Sequence, residues 1–155
     1  MTTGVKIGTH DGVFHCDDVI ACFLLQTLPE YRHAQIVRSR NKAELDICDV
    51  VVDVGGEYDP VKKRFDHHQK GFTLTLGDVL PKYSSKFGRT KLSSAGLVWC
   101  HYGVKIIPEL LNLEADSHTP LVDELFGLMY ERFIEEIDAV DNGINCYDGT
   151  PRYLH

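Results

Sequence analysis

The sequence predicts an α/β domain in which a mostly parallel sheet is flanked by helices. Short apolar strands alternate with helical segments along the first half of the chain, and residues 50–52 form an uninterrupted apolar run. Such alternation is typical of βαβ units, and a continuous apolar strand is typical of a parallel sheet buried on both faces. With 155 residues, 43% of them hydrophobic, the chain can form one domain with a substantial core.

Four strands and three helices follow from the pattern. Strands are predicted at residues 5–8, 34–37, 49–54 and 63–66, and helices at residues 17–28, 93–101 and 121–140. Pro29 ends the first helix, and Asn142 followed by Gly143 ends the third. Ser93 and Ser94 are suitable N-cap residues for the second. Residues 69–91 show no clear period, so we expect a long surface loop there, of the kind that is often functional.

Charge and cysteine content narrow the functional class. The formal net charge of −7 argues against nonspecific nucleic-acid binding over the whole surface, but not against a local basic track. Five cysteines without a C-x-x-C pair favour a reducing compartment over a disulfide framework or a zinc finger. No apolar run approaches the ~20 residues of a membrane span, and no targeting segment is visible before Val5. We therefore expect a soluble intracellular protein without a membrane partner, in the cytoplasm or the nucleus.

Side chains that bind metal ions cluster after the first strand. Between residues 8 and 18 the sequence includes His10, His15 and Asp17 among several imidazole and carboxylate groups. Mixed imidazole and carboxylate ligands suit Mn²⁺, Zn²⁺ or Fe²⁺ better than Mg²⁺ or Ca²⁺, which prefer oxygen. The alternative interpretation is a polar loop with an N-cap at Asp17.

Two further strand ends carry the same kinds of side chain. Asp53 ends the apolar strand, and Asp66, His67 and His68 follow the next one. Because parallel strands deliver their carboxyl ends to one edge of a sheet, where α/β proteins bind ligands, we expect these residues to converge. Adjacent histidines point in different directions, so one can bind metal while the other faces substrate. The alternatives are a solvated turn at Asp53 and a histidine pair on the surface.

Five segments in order resemble one known family. They read IGTHDGVFHCDD, VVDVGGEYDP, FDHHQKGF, TKLSSAGLVW and EEIDAVDNGI, and the similarity runs from about Val5 to Asp148. The central Asp-His-His is the motif of the DHH phosphoesterase superfamily. The flanking segments resemble the sequences of the melanocyte proliferating gene family, whose members are regarded as metal-dependent 3′–5′ RNA exonucleases. The resemblance implies a DHH-type catalytic domain over residues 1–155.

The resemblance also implies a ligand set for two divalent ions. The superfamily places an Asp four residues after the first histidine, whereas His15 stands five residues after His10 here. Asp53 resembles the carboxylate that bridges both metals. The implied metal ligands are His10, His15, Asp17, Asp53, His67 and Asp141. Mn²⁺ is the expected ion, with Mg²⁺, Zn²⁺ or Fe²⁺ as alternatives.

The two remaining residues of the central motif are the implied catalytic pair. His68 resembles the residue that contacts the scissile phosphate, and Asp66 resembles a carboxylate that holds a histidine in its working tautomer. For the last motif, Asp138 and Asp141 both qualify, since residues three apart share a helix face. Asp141 is preferred because Asn142 places it at the end of a helix, which leaves Asp138 as a supporting residue or a solvated one.

Substrate contacts are expected beside the motifs. Lys91 belongs to a run of basic residues between 82 and 91 that contains no acid, and a phosphate backbone would follow such a track. Ser93 and Ser94, at a helix start, could present backbone N–H groups to phosphate. The alternatives are a solvated loop and simple helix capping.

The sequence therefore predicts a two-metal phosphodiester hydrolase. The family resemblance implies a 3′–5′ exonuclease with an RNA substrate. A small-molecule phosphoesterase or pyrophosphatase, and a metal-binding module without turnover, are the alternatives. The second, substrate-binding domain that such families append is not visible in residues 1–155, so we expect exposed apolar surface near the C-terminus, which a homodimer would cover. By resemblance the mitochondrion is a further location, although the sequence shows no transit peptide.

Overall fold

Four parallel strands form the centre of the structure, a computed structural model that describes residues 4–113 and 119–145. With one antiparallel edge strand they make a five-stranded sheet of β1 (Lys6–Thr9), β2 (Gln35–Arg38), β3 (Val50–Val52), β4 (Tyr58–Asp59) and β5 (Arg64–Phe65). Their order in the sheet is β2-β1-β3-β5-β4, and only β4 runs antiparallel, against β5 at the edge. The predicted α/β class is confirmed. The sequence did not reveal β4, because two residues are too few to show a period.

Helices lie on both faces of this sheet. They are α1 (Cys16–Thr27), α2 (Lys42–Asp46), α3 (Leu76–Val79), α4 (Ser94–Leu111), α5 (Pro120–Met129) and α6 (Glu135–Asp141). A π-helical turn at Tyr130–Ile134 joins α5 to α6, so the helix predicted at 121–140 is present in three consecutive parts. The second predicted helix continues well past His101, because Ile106 and Ile107 extend its buried face.

The apolar run of β3 is buried on both sides. Val50 and Val52 pack in the larger core with α1 and α4, while Val51 packs on the opposite face against Leu45 of α2. Burying each of these side chains contributes on the order of 1.5–3 kcal/mol, so β3 is firmly fixed in the sheet. The residues that follow β3 therefore start from a rigid strand end.

The segment between residues 69 and 91 is more ordered than the sequence predicts. It contains α3 and a 3₁₀ turn at Pro81–Tyr83, and Leu76 and Phe87 are buried in the larger core. The backbone N–H of Gly77 donates to the Phe87 carbonyl oxygen at 2.8 Å. The prediction of a long surface loop was wrong, because isolated apolar residues anchor this segment without any regular spacing.

The last described helices present apolar side chains to solvent. Met129, Phe133 and Val140 are each at least about one-third exposed, and so is Ile144, which follows α6. Residues 146–155 lie outside the described part of the chain. Among the helices that are described, none is both long and apolar enough to cross a membrane.

Candidate metal centre

The ends of three parallel strands bring His10, Asp53 and the Asp66–His68 segment together. His10 follows β1, Asp53 follows β3 and Asp66 follows β5, and all three side chains are buried. His10 Nε2 lies 3.4 Å from Asp53 Oδ2. Asp53 itself has a left-handed backbone, with φ of 56°, which Asp tolerates better than most residues. The sheet edge thus supplies one side of a cluster of imidazoles and carboxylates.

The first turn of α1 adds two buried carboxylates. Asp17 Oδ2 accepts a hydrogen bond from the Ser94 backbone N–H at 3.3 Å. Asp18 Oδ1 accepts from the His15 backbone N–H at 2.8 Å, and its Oδ2 lies 3.4 Å from His10 Nε2. The helix dipole favours negative charge at this end. Sequence reasoning singled out Asp17 and missed Asp18, although the adjacent Asp pair at a helix start was the available signal.

The end of α6 closes the cluster. Asp141 Oδ2 lies 3.1 Å from His67 Nε2, and the other ring nitrogen of His67 lies 3.9 Å from Asp17 Oδ2 and 4.0 Å from Asp53 Oδ1. His67 therefore stands among three carboxylates that come from three different elements. The structure places Asp141, not Asp138, against this histidine.

Asp66 holds His68 in one orientation. Its Oδ1 lies 2.6 Å from His68 Nδ1 and accepts from the His68 backbone N–H, and its Oδ2 accepts from the Gly56 backbone N–H at 2.6 Å. A carboxylate at this distance favours the proton on Nδ1, which leaves Nε2 for another partner. The His68 ring stacks on the His67 ring at 4.2 Å, and 58% of its side chain is exposed. The carboxylate of the Asp-His-His motif thus orients the second histidine.

Among the described residues, three groups of side chains offer ligand atoms that lie within 4.8 Å of one another. The groups are Asp53–Asp66–His67–His68, His10–His15–Asp53 and His15–Asp17–Asp141. Asp53 belongs to two groups, and so does His15, which is exposed at the start of α1. All six side chains implied as metal ligands therefore fall in these overlapping groups.

The electrostatics of the cluster favour a bound cation. Burial, together with repulsion from Asp53 and Asp141, raises the pKa of Asp17 to about 7. Burial, with some repulsion from Asp66 and Asp141, also raises the pKa of Asp53 to about 7, although the attraction of His67 opposes the shift. For His67, burial opposes the charged form, but the hydrogen bond and negative charge of Asp141 raise its pKa overall. Buried carboxylates this close together require protons or cations.

Unpartnered polar atoms point to the same conclusion. His10 Nε2, Asp17 Oδ1 and Asp53 Oδ2 are buried and have no hydrogen-bond partner among the described residues. Buried polar atoms are rarely left in this state. The backbone N–H of Gly12 donates to His10 Nδ1 at 3.2 Å, so the neutral ring carries its proton on Nε2. A cation bound at Nε2 would displace that proton, and all three atoms suit a divalent ion.

Ser93 and Ser94 contact carboxylates at the base of the cluster. Both are fully buried. The Ser93 hydroxyl donates to Asp138 Oδ1 at 2.7 Å, and the Ser94 hydroxyl lies 3.3 Å from both Asp53 Oδ1 and His67 Nδ1. Asp138 is also fully buried, and it fixes the start of α4 to α6 instead of lying in solvent. In the structure both serine hydroxyls thus contact side chains of the cluster or its supporting carboxylate, and these contacts need no bound phosphate.

The basic run before α4 is only partly available to a ligand. Lys82 pairs with Asp123 at 2.7 Å and Lys86 with Glu131 at 2.9 Å. Lys91 is half-buried, and its backbone carbonyl accepts from Asn142 Nδ2. Because α5 and the π-helical turn supply acids to this run, it is not the uncompensated basic track that the sequence suggests.

Comparison with known proteins agrees with the motifs. The model of a family described as "Uncharacterised protein family (UPF0160)", named MYG1_exonuc, matches residues 6–155. The chain belongs to the MYG1 family. The family resemblance that the sequence motifs suggest is thereby confirmed.

Relatives in this family are similar over nearly all of the present chain. The "MYG1 exonuclease" of Homo sapiens is 54% identical over 150 residues, which are 96% of this chain and 38% of that protein. The "MYG1 protein C27H6.8" of Caenorhabditis elegans is 50% identical over 147 residues, 95% of this chain and 42% of that protein. The chain thus spans about two-fifths of the length of these MYG1 relatives. No solved structure matches it.

Proposed function

We propose that the chain is the catalytic part of a metal-dependent phosphodiester hydrolase, a 3′–5′ exonuclease that acts on RNA with two divalent ions. The observation that carries the proposal is Asp53, a buried carboxylate that belongs to two ligand groups and has one oxygen without a hydrogen-bond partner among the described residues. The exonuclease part is supported by the names of the MYG1 relatives. The RNA substrate follows from the motif resemblance.

Six side chains would hold the ions: His10, His15, Asp17, Asp53, His67 and Asp141. Asp53 is suited to bridge two ions, because its two oxygens face different partners, Oδ2 towards His10 and Oδ1 towards His67 and His68. The mixed nitrogen and oxygen ligands favour Mn²⁺ over Mg²⁺, with Zn²⁺ and Fe²⁺ as alternatives. Two divalent ions in such a site supply charge stabilisation at the phosphate and activation of water.

The protein itself would orient the substrate through His68. Asp66 holds its Nδ1, and the largely exposed ring leaves Nε2 free to face the substrate. In the imidazolium form both ring nitrogens carry protons, and Nε2 would donate a hydrogen bond to a phosphate oxygen. A positioned acid of this kind contributes about 10²–10⁴-fold to a rate. Ser94, which touches both Asp53 and His67, would keep the two ligands in register.

One preparation can test this proposal against its rivals. Metal analysis is followed by hydrolysis of RNA, DNA and pyrophosphate, with Asp17→Asn as the test variant and Asp49→Asn, an exposed residue before β3, as its control. We expect Mn²⁺-dependent release of nucleotides from the RNA 3′ end, lost in Asp17→Asn and retained in the control. Faster hydrolysis of pyrophosphate would establish a small-molecule enzyme instead. Bound metal without turnover of any substrate would establish a binding module.

A further inference from the structure

The cavity beside the candidate metal centre has one strongly basic side chain in its wall. This cavity, of about 310 Å³, is lined by His10, Asp53 and His68 of the centre and also by Arg40. Arg40 is the only Lys or Arg among the described residues that line it. A Cβ atom at Gly12 would lie 3.4 Å from Arg40 Nη2 and 3.5 Å from His10 Nδ1, so the guanidinium reaches the immediate surroundings of His10.

A second cavity adjoins the first and is richer in basic groups. It measures about 210 Å³, and its wall contains Arg40, Lys42 and Arg64. Arg40 and Gly55 line both cavities, which places them at the boundary between the two. Arg64 donates to the backbone carbonyls of residues 48, 62 and 63, which are neutral partners, and no described acid forms an ion pair with it.

The acids of the second cavity already have cationic partners. Asp46 lies 2.6 Å from the Lys42 ammonium, and Glu57 lies 2.7 Å from the Lys62 ammonium. Both carboxylates are therefore neutralised in part, while Arg64 keeps its charge. The balance in this cavity favours an anion.

Arg40 can exchange its present partner for a ligand. Its Nε lies 3.2 Å from Asp11 Oδ1, and the two side chains are 65% and 55% exposed. An ion pair this exposed contributes little to stability, so a ligand can displace it easily. A phosphate group offers a guanidinium two parallel hydrogen bonds, which are stronger.

We propose that Arg40 binds the phosphate next to the scissile one and that the second cavity receives it. The inference rests on the proposed function and narrows its substrate to a chain with at least two phosphates, as in a single-stranded nucleic acid. The substrate then runs from the metal centre across Gly55, whose missing side chain leaves open space there. Arg40 thus binds the substrate strand and does not contact the reacting atoms.

The test compares binding and turnover in Arg40→Ala. Binding is measured by fluorescence anisotropy, before cleavage begins, with an RNA pentanucleotide that carries hydrolysis-resistant phosphorothioate linkages, in Mn²⁺. We expect the Kd to rise about tenfold, the usual loss for one hydrogen bond to a charged group. The slope of log K against log salt should fall by about 0.7, since one phosphate contact is removed. Arg40→Lys should restore part of this slope, because it keeps the charge.

Two further comparisons separate the effect of Arg40 from a general loss of positive charge and from an effect on the reaction itself. Arg32→Ala removes a similarly exposed arginine, which pairs with Glu109 at 3.3 Å, and this matched control should leave Kd and slope unchanged. In turnover, Arg40→Ala should lose about tenfold more kcat/KM on an RNA pentanucleotide than on bis(p-nitrophenyl) phosphate, which has one phosphate.

The proposal is overturned by an unchanged Kd and salt slope in Arg40→Ala. It is equally overturned by similar losses on both substrates, which would place Arg40 at the reacting phosphate. Hydrolysis of neither substrate by the wild-type chain would refute the proposed function, and pentanucleotide binding would still decide the role of Arg40.

Discussion

Replacing Asp138 tests how the site is attached to the core. Its carboxylate accepts hydrogen bonds from the Ser93 backbone N–H at 2.9 Å, the Ser93 hydroxyl at 2.7 Å and the Tyr130 hydroxyl at 2.9 Å, and all three groups are buried. Asp138→Ala leaves these three donors without a partner, at roughly 1–3 kcal/mol each. We expect a loss of about 4 kcal/mol in the free energy of unfolding, a large part of what such a domain has.

Asp138→Asn should be far milder, because an amide can accept from Ser93 and donate to the Tyr130 oxygen. Burial, with repulsion from Asp141, raises the pKa of Asp138 to about 7. A pKa raised by folding gives stability that is complete below the unfolded value near 4 and is lost as pH rises through about 7. Relative to wild type, Asp138→Asn should therefore gain stability between about pH 5 and about pH 8.

The assay is urea unfolding in EDTA at both pH values. Asp46→Ala is the control, since its pair with Lys42 is exposed and should contribute less than about 1 kcal/mol. A loss below about 1 kcal/mol in Asp138→Ala would refute the reasoning, because the Ser93 and Tyr130 donors would then not depend on this carboxylate.

Three other changes have defined outcomes. A Cβ atom at Gly96 would overlap the Asp138 carboxylate, so Gly96→Ala should lower the Tm by several degrees, whereas Gly127→Ala, where the nearest atom is 3.5 Å away, should not; equal Tm values would contradict this. His68→Gln should lower kcat about 10²–10⁴-fold with Mn²⁺ affinity preserved, and a lost affinity in calorimetry would instead make His68 a metal ligand. Asp53→Asn should raise the Tm in EDTA by removing a crowded carboxylate and should abolish the stabilisation by Mn²⁺; retained Mn²⁺ stabilisation would show that Asp53 does not hold the ions.

Much of the fold could be predicted from local pattern. The apolar run of β3 predicts a strand buried on both faces, and the structure shows Val50 and Val51 on opposite sides of the sheet. The same logic placed Asp53 at a strand end, next to His10. The prediction of a surface loop at residues 69–91 was wrong because Leu76 and Phe87 are buried by helices that are distant in sequence. A local hydrophobic period cannot reveal such contacts.

The contacts within the site were harder to foresee. Ser94 touches Asp53 and His67, which are 41 and 27 residues away, so only the folded chain reveals that this serine faces the cluster. Asp18 lies in the same helix turn as Asp17. Its distance from His10 depends on the path of the chain between the end of β1 and the start of α1, which the local pattern does not show. Arg40 lies in no motif, and its place between two cavities follows from the sheet edge and the turn at Gly55.

The most direct test of the central claim is anomalous scattering at the manganese edge from crystals soaked in Mn²⁺. Two ions sharing the Asp53 carboxylate, one on the side of His10 and the other on the side of His67, are the expected result. A single ion, no ion, or two ions that do not share Asp53 would contradict the two-metal account.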